Sequence, residues 1–335
     1  MAVKKKISPT TEQSASYLKH RNIFLPLLLV TVCMGIALMI SVINKFVYPF
    51  GKDILSPLVA QVIALLIPSA LAFMILYPEG NGVAKMKSLG FHRIRAEFVF
   101  PIIFTALFLI TSSLLINLCL FGFYSAADGF TVLGTFTAGV DDFSTTYPYI
   151  AIIYAIAPAL IEEFIFRGII QTELEKKDRF FAICVSSLLS AVFAFSIGGF
   201  PTALLCALVY CFVRSLTGSL FASMIVHLVF NVYAVFLQTS VARYFISSKN
   251  NALLIIIIVL AWLISSALFF SEMARLYKAR ADKIKSGEAE SSLPAISFKH
   301  LGKVLKEVFA YRPTLVTSII AAIFFIAITA LEYFV

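Results

Sequence analysis

The chain has 335 residues, of which 60% are hydrophobic and only 13% charged. Soluble domains carry about a quarter charged residues, so the composition excludes an ordinary soluble enzyme and points to a polytopic membrane protein. The formal net charge of +9 would suit a nucleic-acid binder in a soluble chain, but here the basic residues fall between apolar runs, which excludes that reading.

The first 22 residues are polar and include Lys4, Lys5 and Lys6. They predict a basic cytoplasmic tail over 1–23 and no cleavable signal peptide, because about 20 polar residues precede the first apolar run. A membrane-crossing helix needs about 20 predominantly apolar residues, since only closed backbone hydrogen bonding survives in hydrocarbon. Nine runs are candidates: 24–43, 57–77, 98–122, 148–170, 180–197, 201–216, 219–238, 252–270 and 314–335. Those at 180–197 and 201–216 are short. The predicted fold class is therefore all-α, with 8–9 transmembrane helices and no internal repeat.

Between these runs, 78–97 reads as a basic inner loop and 123–147 as an outer loop with three aspartates and no lysine or arginine. The predicted bundle covers 24–270. Residues 271–312 form the largest soluble segment, and 313–335 the final transmembrane helix. In the stretch FKHLGKVLKEVF, Leu301, Val304, Leu305 and Val308 share one helical face. That face predicts an amphipathic helix on the lipid surface, with partner docking as the alternative. With the N-terminus inside, 23 of the 27 Lys and Arg fall in inner segments; Lys45, Lys52, Arg243 and Lys249 do not. The expectation is a multi-pass protein of the cell membrane, bacterial and cytoplasmic by its architecture, with the C-terminus outside. The basic excess reads as contact with anionic lipid headgroups, with no nucleic-acid partner. Cys33, Cys119, Cys184, Cys206 and Cys211 all lie in apolar runs without CxxC spacing and read as small buried hydrophobes.

Ionisable groups inside a membrane are costly, about 2.5–3.5 kcal/mol each on the lenient insertion scale, and mark functional sites. The fourth run carries Glu162, Glu163 and Arg167; the seventh carries His227 and Asn231. Glu163 and Arg167 are four apart, acid first, the favourable order for a helical pair. Glu162 is rotated by about 100° from Glu163 and is not held by that pairing. Arg167 can neutralise one carboxylate and leave its neighbour as a candidate general base. His227 and Asn231 are also four apart. Glu163 lies about 12 Å before the inner end of its helix and His227 about 13 Å along its own, so the two sets are predicted at similar depth. A Glu–Arg staple with a cross-bundle His or Asn is the structural alternative, but it leaves the second glutamate unexplained.

These residues resemble the CPBP intramembrane proteases, also called the CAAX-protease or Abi family. The resemblance rests on PALIEEFIFRG, with Glu162, Glu163, Arg167 and Gly168, and on TGSLFASMIVHLVFN, with Thr217, Gly218, Ser219, His227 and Asn231; it covers about 148–235. It implies a helical bundle around a central polar cavity and cleavage of a peptide bond in a peptide or membrane-protein substrate. In that reading Glu162 activates water, Glu163 is oriented by Arg167, and His227 and Asn231 stabilise the oxyanion. Bacteriocin processing, immunity and peptide signalling are the roles it suggests.

The sequence departs from the family at its middle motif, F-x-x-x-H. In SAVFAFSIGGF, Phe193 occupies the aromatic position and Ile197 the histidine position. With His227 as the one histidine of the core, a zinc site lacks its usual nitrogen ligands; no cofactor is certain, and a divalent metal such as zinc is kept as the weaker expectation. The remaining histidines, His20, His92 and His300, are expected to be solvated. The leading expectation is a glutamate-dependent intramembrane endopeptidase. The alternative is a catalytically weakened homologue that binds and regulates a membrane partner. A transporter is disfavoured, since corresponding broken spans in two halves are not seen.

Overall fold

The computed structural model describes residues 9–46, 56–77, 81–129, 143–194, 199–238, 240–241, 251–287 and 298–334. The chain order is α1 (Pro9–Phe46), α2 (56–76), α3 (Gly82–Ser88), α4 (Val99–Gly129), α5 (143–175), α6 (Arg179–Val192), α7 (Phe200–Thr217), α8 (220–237), α9 (Asn251–Lys285), α10 (Phe298–Phe309) and α11 (Arg312–Phe334). Among the described residues, eight helices are long and apolar enough to cross a membrane. The protein is an all-α, multi-pass membrane protein.

The fifth predicted span is the correction. Over 180–197 the chain forms α6, which has only 14 residues. That is about 21 Å of helix, short of a bilayer core. Asp178 stops the chain running straight on from α5, because its carboxylate accepts the Phe181 N–H at 2.7 Å and caps a new helix. α6 then folds against α7, so that the two form a helical hairpin.

One apolar core joins α1, α2, α5, α6, α10 and α11, and a second joins α4, α7, α8 and α9. Small and hydroxyl residues let the outer helix pairs approach, as expected where lipid supplies no hydrophobic drive. A Cβ on Gly35 of α1 would stand 3.0 Å from Phe324 of α11. On the other side, Trp262 of α9 donates to Ser112 of α4 at 3.0 Å, and Phe108 stacks on Phe269 with centroids 4.4 Å apart.

The segments predicted to lie inside meet at one end of the bundle. Arg275 donates to the Glu97 carbonyl, Lys177 pairs with Glu307 at 3.0 Å, and His20 stacks on Tyr311 at 4.7 Å. His20 is therefore half-buried against a ring, not solvated. His92 is exposed, and His300 reaches Asp178 at 3.3 Å from a largely exposed position. The α10 face expected to lie on lipid is turned inward: Val304 and Val308 are buried in the first core, with Leu301 and Leu305 packed against it. The apolar stripe was legible, but its cover is the bundle itself. Cys33, Cys206 and Cys211 are buried as expected, whereas Cys119 is exposed.

The turn before α8 is pinned to the basic loop. Gly218 ends α7 with φ +69°, a conformation that favours glycine, and its N–H closes on the Arg214 carbonyl at 2.8 Å. Leu220 N–H donates to the Gly90 carbonyl at 2.7 Å, and Ser219 Oγ donates to the His92 carbonyl at 2.7 Å. Thr217, Gly218 and Ser219 thus set where α8, and His227 on it, begins.

Candidate active site

α5 departs from α-helical geometry where the polar residues begin. Residues Glu163–Ile170 form a π-helical segment, as do Ala151–Ile156; such segments recur at functional sites. The second precedes Pro158, which has no N–H to offer and pushes on the preceding turn. Two amides from neighbouring helices serve the carbonyls there: Gln61 Nε2 donates to Ile153 O at 3.4 Å and Asn231 Nδ2 to Ala155 O at 3.3 Å. Re-satisfying a broken backbone from the side is what makes proline tolerable inside a membrane helix.

Glu163 and Arg167 form the expected pair, with Arg167 Nη1 3.1 Å from Glu163 Oε1 and both side chains essentially inaccessible. Arg167 also donates to Ser190 Oγ of α6 at 3.1 Å and to the Ala207 carbonyl of α7 at 3.2 Å. His227 Nδ1 lies 2.9 Å from the same Glu163 oxygen. The Tyr210 ring backs both partners, stacked on the imidazole at 4.7 Å and beneath the Arg167 guanidinium at 5.2 Å. Ser223, buried one turn before His227, sets its hydroxyl beside the same carboxylate while donating to the Leu220 carbonyl at 2.9 Å.

Glu162 is different. It is only half-buried, and no hydrogen bond joins it to another described residue. His227, Arg167 and Glu163 are the ionisable groups within electrostatic reach of it. The geometry therefore separates the two glutamates: one is locked in a buried network and the other presents a carboxylate with no partner of its own.

The arrangement changes the expected part of His227. A carboxylate only accepts, so the Nδ1 facing Glu163 carries the proton. In the neutral ring this leaves Nε2 as an acceptor, suited to holding a water or taking its proton. The oxyanion-donor part is available only to the doubly protonated ring. Asn231 is not joined to His227 or Glu162 in one network; one of its N–H groups is committed to Ala155. Ile197 lies outside the described residues. Among the described residues, no three His, Cys, Asp or Glu side chains converge as metal ligands. Glu163 Oε1 is shared by Arg167 and His227, while Glu163 Oε2 is buried without a hydrogen-bond partner among the described residues.

Other residues of the network were not singled out from sequence. Counting on by four from Glu163 and Arg167 reaches Gln171 and Glu175. Gln171 Nε2 donates to the Cys211 carbonyl at 3.1 Å and to Glu175 at 2.8 Å. Ser223 likewise precedes His227 by four. Spacing could have found these three, whereas Ser190 and Tyr210 come from helices whose register only packing decides.

Residues 144–233, which run from α5 to α8 and carry Glu162, Glu163, Arg167, His227 and Asn231, match the family model for type II CAAX prenyl endopeptidase Rce1-like proteins. No curated protein and no solved structure matches the chain.

Proposed function

Because the segment 144–233 matches the CAAX-endopeptidase family model, we propose that this membrane protein is a glutamate-dependent intramembrane endopeptidase, with Glu162 as its general base. The observation that carries the reading is the separation of the two adjacent glutamates. Glu163 is neutralised by Arg167 and occupied by His227, while Glu162 stands within reach of the imidazole without a hydrogen-bond partner among the described residues.

In this mechanism a water held between Glu162 and His227 Nε2 attacks the scissile carbonyl. Glu162 takes one proton as the C–O bond forms, the C–N bond then breaks, and the proton passes to the leaving amine. Glu163 and Arg167 are positioning residues that fix the imidazole tautomer and orientation. The second N–H of Asn231 is the side-chain donor on the same face of α8 that can meet the developing oxyanion. The substrate class is a peptide or a membrane-protein segment, with peptide processing, immunity or signalling as the physiological setting.

The test is cleavage of membrane peptides by the full chain in vesicles, read by mass spectrometry of the products. Wild type is expected to cut, and Glu162→Ala and His227→Ala to cut at least about a hundredfold more slowly; equal cleavage by all three overturns the proposal. The presence of Ile197 where the family carries histidine favours a second reading, a weakened protease that binds a membrane partner. Ile197→His distinguishes the two. Cleavage that appears or rises greatly in that variant shows that only this position limits the chemistry, and no gain favours the binding and regulatory reading.

A further inference from the structure

A second polar cluster lies at the basic end of the bundle, three turns of α5 beyond the Glu163–Arg167 pair. Its centre is Glu175, which accepts from Arg214 Nη1 at 3.0 Å, Ser215 Oγ at 3.0 Å and Gln171 Nε2 at 2.8 Å. Arg179, at the start of α6, and Arg280, near the end of α9, lie within electrostatic reach of Arg214 and of Glu175. Arg280 donates through Nη1 to the Ser215 and Leu216 carbonyls at the end of α7. Three guanidinium groups from α6, α7 and α9 therefore share one described carboxylate. The nearby Glu173 does not balance them, because Tyr77 and Lys176 each hold its Oε1 at 2.6 Å.

The excess has an address. Arg179 Nη1 is enclosed by protein yet has no hydrogen-bond acceptor among the described residues, and a buried donor left unmatched is rare because it forfeits its hydration without replacement. Both Arg179 and Arg280 are half-exposed as side chains, so an acceptor can reach them from outside. Guanidinium forks favour oxyanions with several acceptor oxygens, phosphate above all.

We propose that Arg179, Arg214 and Arg280 form a binding site for the phosphate of an anionic phospholipid headgroup. The level of the cluster selects a lipid over a dissolved anion. Glu175 closes one candidate span, Thr217 another, and Arg280 lies close to the end of a third, Ala252–Lys285. Span ends lie at the headgroup layer, and basic pockets between helices at that layer take phospholipid heads. Phe270 and Tyr277 are exposed on α9, about three turns and one turn short of Arg280, and offer an apolar track for an acyl chain. The proposal does not depend on the peptidase reading. Through Gln171, though, the site is bonded to the same face of α5 that carries Glu163, so an occupied site would brace that helix.

The experiment measures lipid retained by the full chain in detergent, using native mass spectrometry, together with the shift in unfolding temperature on adding phosphatidylglycerol, phosphatidylcholine or inorganic phosphate. Wild type is expected to retain phosphatidylglycerol and to be stabilised by it, with no comparable effect from phosphatidylcholine. Arg179→Gln is expected to bind it about tenfold more weakly, Arg179→Lys less so, and Lys303→Gln on α10 as wild type. Equal retention by wild type and Arg179→Gln overturns the proposal. So does stabilisation by inorganic phosphate with none from phosphatidylglycerol. Should Arg179→Gln not fold, the charge-retaining Arg179→Lys and the separate Arg280→Gln decide, and wild-type retention by both also overturns it.

Discussion

Arg167→Met is expected to destabilise the protein by about 3–5 kcal/mol, the cost of leaving a buried carboxylate without its partner. Glu163 has no solvent to turn to, and His227 is the other side chain bonded to it. The substitution also strands Ser190 Oγ and the Ala207 carbonyl, which Arg167 joins to α5. Unfolding temperature in detergent, with peptide cleavage measured in parallel, reads the effect. The double variant Glu163→Gln, Arg167→Met removes both charges together and is expected to recover most of the lost stability, because neutral replacement of a buried pair is often harmless to folding. It is not expected to recover cleavage, since His227 loses the carboxylate that orients it. A single variant as stable as wild type would show that the pair is not a buried ion pair in the membrane.

Glu162→Gln is expected to do the reverse. Its side chain makes no bond to another described residue and is half-buried, so stability should change by no more than about 0.5 kcal/mol, as for substitutions away from bonded networks. Cleavage should fall by about 10²–10⁴-fold, the usual worth of a positioned general base. The isosteric amide keeps shape and polarity and loses only the capacity to take a proton. Adjacent glutamates therefore make opposite predictions: Glu163→Gln lowers stability and activity together, Glu162→Gln lowers activity alone. Equal losses of stability from the two variants would remove the basis for assigning them different parts.

Much of the bundle was legible because membrane helices carry their signal in continuous apolar runs. Eight of the nine predicted runs correspond to helices of crossing length. The ninth was over-extended at 180–197, because hydropathy reports burial and not the helix end, which α6 reaches at Val192. The ion pair was also legible, since four-residue spacing is a local property of a helix. Spacing could not show that the pair sits in a π-helical segment, nor that Asn231 answers a carbonyl exposed near Pro158. Both depend on which helix lies alongside. The α10 stripe shows the same limit: sequence identifies an apolar face, while Val304 and Val308 find their cover in the bundle core and not in lipid.

The sequence by itself determined that this protein is an all-α membrane protein with its charges set between apolar runs, and that two glutamates, an arginine and a histidine stand inside it. Those are consequences of composition and of periodicity along one chain. Spacing along α5 already paired Glu163 with Arg167 and left Glu162 apart; the tertiary structure decided what encloses that pair. The enclosure depends on where His227, Tyr210 and the Ala207 carbonyl fall around α5, and no single helix contains that information. The same applies to the three arginines at the basic end, which lie up to 101 positions apart in the sequence (Arg179 to Arg280) and meet only because α6 begins, and α7 and α9 end, at one level.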